Sequence, residues 1–391
     1  MPEKAFASAE RPPQLRRPPV LSETQTPSPV LPHGLTGLHA QIGNHAMRQL
    51  LVARQVADAP TADAPAADAP LVENPLSPAQ VGKAIAFYKA QPKLYTTEII
   101  EQIQTACGTE PTGKMSAEDV QAVARKQQEL NVDASPPLKI DGMAGPRTLP
   151  SIFKFGLRED DEVSDYTETA RDKWENRGDK TDEEVTAELV EETNKHLDTA
   201  GVPPMELNIT DRQVGRGAFD GETWQILIND SQFKDPKLRS IKDLTSTIYH
   251  EGRHAEQKFK VAQMLAGQKK SVNAIHARTG IKIEICEKAR ENPIEPGTME
   301  AVIAQGWDDS LHSDAGIEKI RRNNAAIDKA FKERKAAREA FEKDPTPANE
   351  AKKVAAEAKY DATIAEHDEF PHEHDAERVE DQIKQQLGEI K

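Results

Sequence analysis

His250-Glu251-Gly252-Arg253-His254 sets two histidines four residues apart, with a glutamate directly after the first. On a helix, positions i and i+4 lie one turn apart on one face, so both imidazoles can converge on a single ion. Zinc accepts imidazole nitrogen readily, and a neighbouring carboxylate can take a proton from a water polarised by the ion. The spacing therefore points to metal-assisted hydrolysis with Glu251 as general base. With 11 histidines in 391 residues, this pattern rarely arises by chance. Ile241, Leu244, Ile248, Ala255 and Phe259 step by three and four around the pair. That stripe predicts a helix from Ser240 or Ile241 to about Ala266, buried on the side near the histidines. Arg253 is expected to point to solvent. Gly252 costs a helix roughly 1 kcal/mol relative to Ala, which suggests close packing of another backbone. Spacing assigns no role to Gln257.

A catalytic zinc needs a third protein ligand and an open position for water. Six residues beyond His254 stands Lys260, which cannot ligate, so the third ligand must come from another element. The candidates are Glu284, Glu287, Glu300 within Met299-Glu300-Ala301-Val302-Ile303, and the cluster Phe370-Pro371-His372-Glu373-His374-Asp375-Ala376-Glu377. In that cluster Pro371 suits the first turn of a helix, and Ala376, Val379, Ile383 and Leu387 form an inward stripe. His372 falls near the middle of the stripe and Glu373 on its edge, so the residues themselves leave both open.

Tyr249 to Gln257, taken with the later Phe370-Pro371-x-Glu373-x-Asp375-Ala376, resembles the zincin metallopeptidases of the gluzincin type. In that family a Glu-x-x-Ala on a later helix gives the third ligand. The resemblance implies zinc held by His250, His254 and Glu373, with Glu300 in reserve and His372 behind it. It also implies a peptide or protein substrate, aligned by an edge strand for which Trp224 to Asn229 is the candidate.

Three regions must carry this site. The first 75 residues contain twelve of the 27 prolines, and Ala-Asp-Ala-Pro recurs at five-residue steps from Ala57 to Pro70. Little bulky apolar surface offsets the ordering entropy there, so 1–75 is expected to be a disordered leader. Within it, residues 35–51 form an apolar island. Its Ile42-Gly43-Asn44-x-Ala46-x-x-x-Leu50-Leu51 resembles the leader on cargo of bacterial contractile injection systems and related toxins. That resemblance implies injection-system components as partners and a target cell as destination.

Residues 76–157 are expected to fold as helices Pro78 to Tyr88, Thr96 to Ala106 and Ser116 to Leu130, then a short one capped by Thr148 and running to Phe153. Asp141-Gly142-x-x-Gly145-x-x-Thr148 behind a Gln-containing helix resembles the peptidoglycan-binding-domain fold, a three-helix module. Peptidoglycan is the partner that resemblance implies. Residues 158–391 should form the metallopeptidase-like domain. They read as mostly helical, with a helix from Asp182 to Leu197, a strand from Phe219 to Asn229, and a charged hairpin over 317–367 whose stripe includes Ile320, Ile327, Phe331, Val354 and Ile364. The fold class is α+β, dominated by helix.

The charge excludes other functions. Sixty-six acidic against 51 basic residues give −15, which repels phosphate backbones and disfavours nucleic acid. Cys107 and Cys286 stand far apart, which excludes a disulfide scaffold and a Cys-rich zinc knuckle. No run approaches the roughly 18 apolar residues of a membrane span. Met1 to Val20 lacks the apolar core of a secretory signal, so export is expected to depend on another machine. Two further functions share the same residues. One is a peptidoglycan cross-bridge hydrolase. The other is a non-catalytic interaction protein whose structural zinc is closed by His372 or Asp375.

Overall fold

The computed structural model describes residues 72–132, 134–211, 216–234 and 240–388. The expected leader, apart from its last four residues, and the 35–51 island lie outside them. Helices α1 (Pro78–Lys89), α2 (Thr97–Ala106) and α3 (Ala117–Glu129) start where the sequence supplies side-chain caps. Ser77 with Gln80, and Ser116 with Asp119, each close a reciprocal capping box, and Thr96 accepts from the Ile99 amide. A loop then leads to the one-turn α4 (Leu149–Ile152).

That loop is held from inside. The Gln127 Oε1 accepts from the Asp141 and Gly142 amides, both at 2.9 Å, and its Nε2 donates to Met143 O at 3.1 Å and Thr148 Oγ1 at 3.2 Å. Thr148 is thus a partner of Gln127 and makes no side-chain cap on α4, contrary to expectation. Gly142 is required by position: its φ is +71°, and a Cβ there would meet Val120 O at 2.6 Å.

A 3-10 turn (Gly156–Arg158) leads into α5 (Asp160–Glu175) and α6 (Asp182–Thr199), the latter opened by a Thr181/Glu184 capping box. Three short strands follow: β1 (Glu206–Thr210), β2 (Gly217–Asp220) and β3 (Gln225–Asn229). Their order is β1-β3-β2, with β1 parallel and β2 antiparallel to β3. The stretch Phe219 to Asn229 is therefore not one strand. It turns at 221–224, where Trp224 takes φ 59° and is anchored by its indole N–H on Pro203 O at 3.1 Å. Because β3 is flanked on both sides, it cannot be the substrate-pairing edge expected of it.

The one-turn α7 (Ser231–Lys234) precedes α8 (Ile241–Gly267), 27 residues capped by Ser240 and buried along most of its length. Around α8 pack α6, β2, α10 (Ile283–Glu291), α11 (Met299–His312) and α14 (Pro371–Leu387), with α9 (Val272–Thr279) between α8 and α10. Helices α12 (Asp314–Lys343) and α13 (Pro347–Asp368) form the expected hairpin. It carries its own small core of Ile327, Ala330, Tyr360 and Ile364. Val354 is 57% exposed and lies outside that stripe. The architecture is α+β, mostly helical, with a single three-stranded sheet among the described residues. One apolar core runs from Ala84 and Ile99 in the first helices through α8 to Leu387.

Candidate metal centre

Helix α8 supplies His250 and His254, whose ring centroids stand 4.7 Å apart. Helix α14 crosses it with Pro371 at its first position, which puts Glu373 in the first turn facing the two rings. His254 Nε2 lies 3.4 Å and His250 Nε2 3.9 Å from Glu373 Oε2. One ligand atom from each of the three falls within 4.8 Å of the others.

Each ring has a polar partner at its other nitrogen. His250 Nδ1 is 3.0 Å from Glu380 Oε2, and His254 Nδ1 is 2.9 Å from Gln257 Oε1. Gln257 is itself fixed, donating through Nε2 to His372 O and to Asp375 Oδ2, both at 2.9 Å. The second oxygen of Glu373, Oε1, faces His367 Nε2 at 3.2 Å and His372 Nε2 at 3.4 Å. Outer partners of this kind fix the tautomer and aim of metal-binding histidines.

The set fits a metal ion. Ligands about 2.0–2.2 Å from a tetrahedral ion lie about 3.4 Å from one another, near the separations seen here. These gaps are longer than the 2.7–3.2 Å typical of direct N–H···O bonds. His250 also groups with Glu377 and Glu380 on its Nδ1 side, but there the contact to Glu380 has hydrogen-bond length and serves to orient the ring.

Charge is arranged accordingly. Burial opposes an ionised Glu373, yet His367 and His254 outweigh it and hold the carboxyl well below the usual range. Burial would lower His250, but the Glu380 carboxylate prevails and pushes it up to about 10. An ion must displace that proton, so its hold weakens as pH falls. Glu251 is buried beside the pair, and burial raises its pKa against the pull of His250 and His254.

No family model, curated protein or solved structure matches this chain. The site therefore stands on its own geometry.

The other expected ligands are placed elsewhere. Glu300 pairs with Lys260 Nζ at 2.7 Å, and Glu284 and Glu287 are exposed on α10. His372 is buried and meets Ser310 Oγ through Nδ1 at 3.2 Å, facing the far oxygen of Glu373. Asp375 is taken by Arg253 Nε at 2.8 Å, by Gln257, and by Arg158 at 3.2 Å. Arg253, expected in solvent, is fully buried between Asp375, Glu256 and Phe155 O. Burial is affordable because Asp375 and Glu256 both offer carboxylates to its guanidinium. Gly252 meets side chains instead of backbone: a Cβ there would lie 2.6 Å from Thr193 Cγ2.

Three contributors escaped the sequence reading. Gln257 stands three residues after His254, and Glu380 seven after Glu373, so helical spacing carried a signal for both. His367 lies in the last turn of α13, and nothing local marks it.

Proposed function

We propose that this chain is a zinc-dependent metallopeptidase with Glu251 as its general base. One observation carries the reading: two imidazole nitrogens and a carboxylate oxygen face one another at ligand spacing, next in sequence to a buried glutamate. Two nitrogens and one oxygen match the three-ligand sets of catalytic zinc, which keep a fourth position open.

Bound zinc would supply Lewis-acid polarisation of the scissile carbonyl and the attacking water. Glu251 removes a proton from that water and returns it to the leaving amide nitrogen. Its raised pKa suits both halves of the transfer. Glu380 and Gln257 keep the two rings from swinging away, and Glu373 stays ionised. The half-buried Lys258, one turn beyond His254, adds positive charge near Glu251 and Glu373. With β3 internal, substrate pairing falls to β2, an edge of the described sheet that packs on α8. An extended peptide there gains main-chain hydrogen bonds.

A structural zinc needs a fourth protein ligand. Asp375 is already committed to two arginines and Gln257, and His372 faces the far oxygen of Glu373, so the catalytic reading is favoured. Delivery by a contractile injection system belongs to the same proposal and is supported by the resemblance at Ile42 to Leu51. Peptidoglycan as a partner is supported by the motif from Asp141 to Thr148.

The test is Glu251→Gln. The purified variant should keep one zinc at this site per chain, while hydrolysis of a mixed peptide library falls by about 100- to 10,000-fold. Full activity would sink the mechanism. Loss of zinc together with activity would make Glu251 a ligand instead of a base.

A further inference from the structure

Outside this centre, α5 and α6 bring a second group together. His196 and Glu192 stand four residues apart on α6, and Glu162 and Asp165 three apart on α5, so each pair shares one helix face. His196 is 5% exposed, its ring edge-on to Tyr166 at 5.8 Å. Its Nδ1 is bonded to Glu162 Oε2. That contact fixes the proton on Nδ1 and leaves the Nε2 lone pair on the side of Asp165. Among the described residues the Nε2 atom has no hydrogen-bond partner, and Asp165 Oδ2 lies 3.8 Å away. One ligand atom each from Asp165, Glu192 and His196 falls within 4.8 Å of the others.

We propose that Asp165, Glu192 and His196 form a second divalent-cation site, of the zinc class, that clamps α5 to α6. Glu162 acts as the outer carboxylate that aims the imidazole, as Glu380 does for His250. The competing arrangement is an imidazolium between two carboxylates. It would bury an Nε2–H whose neighbouring Asp165 oxygen, at 3.8 Å, is too distant to accept it. Lysines also reach Glu192: Lys195 Nζ lies 2.8 Å and Lys173 Nζ 3.6 Å from its Oε2. A carboxylate has about four lone-pair sites, so these contacts leave capacity for an ion. Lys195 is 60% exposed, and such surface pairs hold weakly. One imidazole among two carboxylates favours zinc over calcium or magnesium, which seek oxygen alone. Asp165, at 74% side-chain exposure, opens the site to water, which can complete the coordination.

The site is tested in the full chain carrying Glu373→Ala, so that the first centre does not contribute. After equilibrium dialysis against micromolar zinc, this protein should retain about one equivalent. Adding His196→Gln should remove it, and Glu162→Gln should weaken it by about 10- to 100-fold. Zinc should also raise the melting temperature of the Glu373→Ala protein and not of the double variant. Should His196→Gln fail to fold, Glu192→Gln, which keeps the side-chain shape, gives the same comparison. Equal zinc content with and without these second substitutions overturns the proposal, whatever the fate of the first centre.

Discussion

Gln127 in the N-terminal helical unit and Gln257 in the metal centre are both fully buried amides, and they are put to opposite uses. Each Gln127 bond closes on residues 141–148, so the side chain substitutes for a strand or a cap and ties a loop to its own helix. Gln104 does the same for Thr112, Gly113 and Lys114. Gln257 instead links the imidazole of His254, in the candidate metal centre, to a carboxylate on a helix far away in sequence. A buried polar group that bonds nearby backbone holds the fold. One that bonds another buried titratable group aims it. The two regions meet at α14: Arg378 Nη1 donates to Pro136 O at 3.0 Å, and Asp381 accepts from the Ser135 amide at 3.1 Å. The N-terminal unit thus braces the helix that presents Glu373, and deleting 76–157 would disturb the centre as well as any wall binding.

The sharpest way to break this contrast is at the ligands. Glu373→Ala should cost more than about 100-fold in zinc affinity, exceeding the usual effect of an outer partner. Glu300→Ala should leave affinity unchanged, because its partner is Lys260. Equilibrium dialysis of both variants decides it, and equal losses would refute the assignment of Glu373.

The glutamines come next. Gln257→Ala should weaken zinc by about 10- to 100-fold, as expected of an outer-shell residue that frees a ligand ring. Gln127→Ala should leave zinc binding intact and destabilise the chain by about 1–3 kcal/mol, the cost of orphaning buried amides. Denaturant melts alongside zinc titrations separate the two. If Gln127→Ala changed zinc affinity and Gln257→Ala did not, the division of roles would be reversed.

What the sequence discloses follows the range of each interaction. The His250/His254 pair is legible because one helical turn is local, as are the Ser116 cap and Pro371 at the start of α14. The sequence alone points Arg253 to solvent because its partner Asp375 is 122 residues away. Gln257 had no visible role because its acceptor, His372 O, is 115 residues away. The run from Phe219 to Asn229 passed for one strand because apolar and aromatic content hides a turn whose last residue, Trp224, adopts a left-handed conformation uncommon for a bulky side chain. Thr148 looked like a helix cap, and only the folded loop shows its hydroxyl accepting from Gln127.

The smallest expected effect tests whether burial alone differs between the two regions. Cys107 ends α2 in the N-terminal unit and Cys286 lies on α10 beside α8, and both are free. Burial is the main cause in each case, and it raises both thiols from 9.0 to about 11. A group whose folded pKa lies above its unfolded value stabilises fully below the unfolded pKa and loses that contribution as pH rises through the folded one. Stability should therefore fall by about 0.4 kcal/mol per thiol by pH 9, where half the unfolded thiols are ionised, and continue falling toward pH 11. Denaturant melts of Cys107→Ser and Cys286→Ser between pH 7 and 9.5 should each lose about the same part of that slope. Equal losses mean that burial acts alike in both regions and that the metal centre is set apart by its partner charges. A loss confined to one cysteine would mean that the regions differ in burial as well.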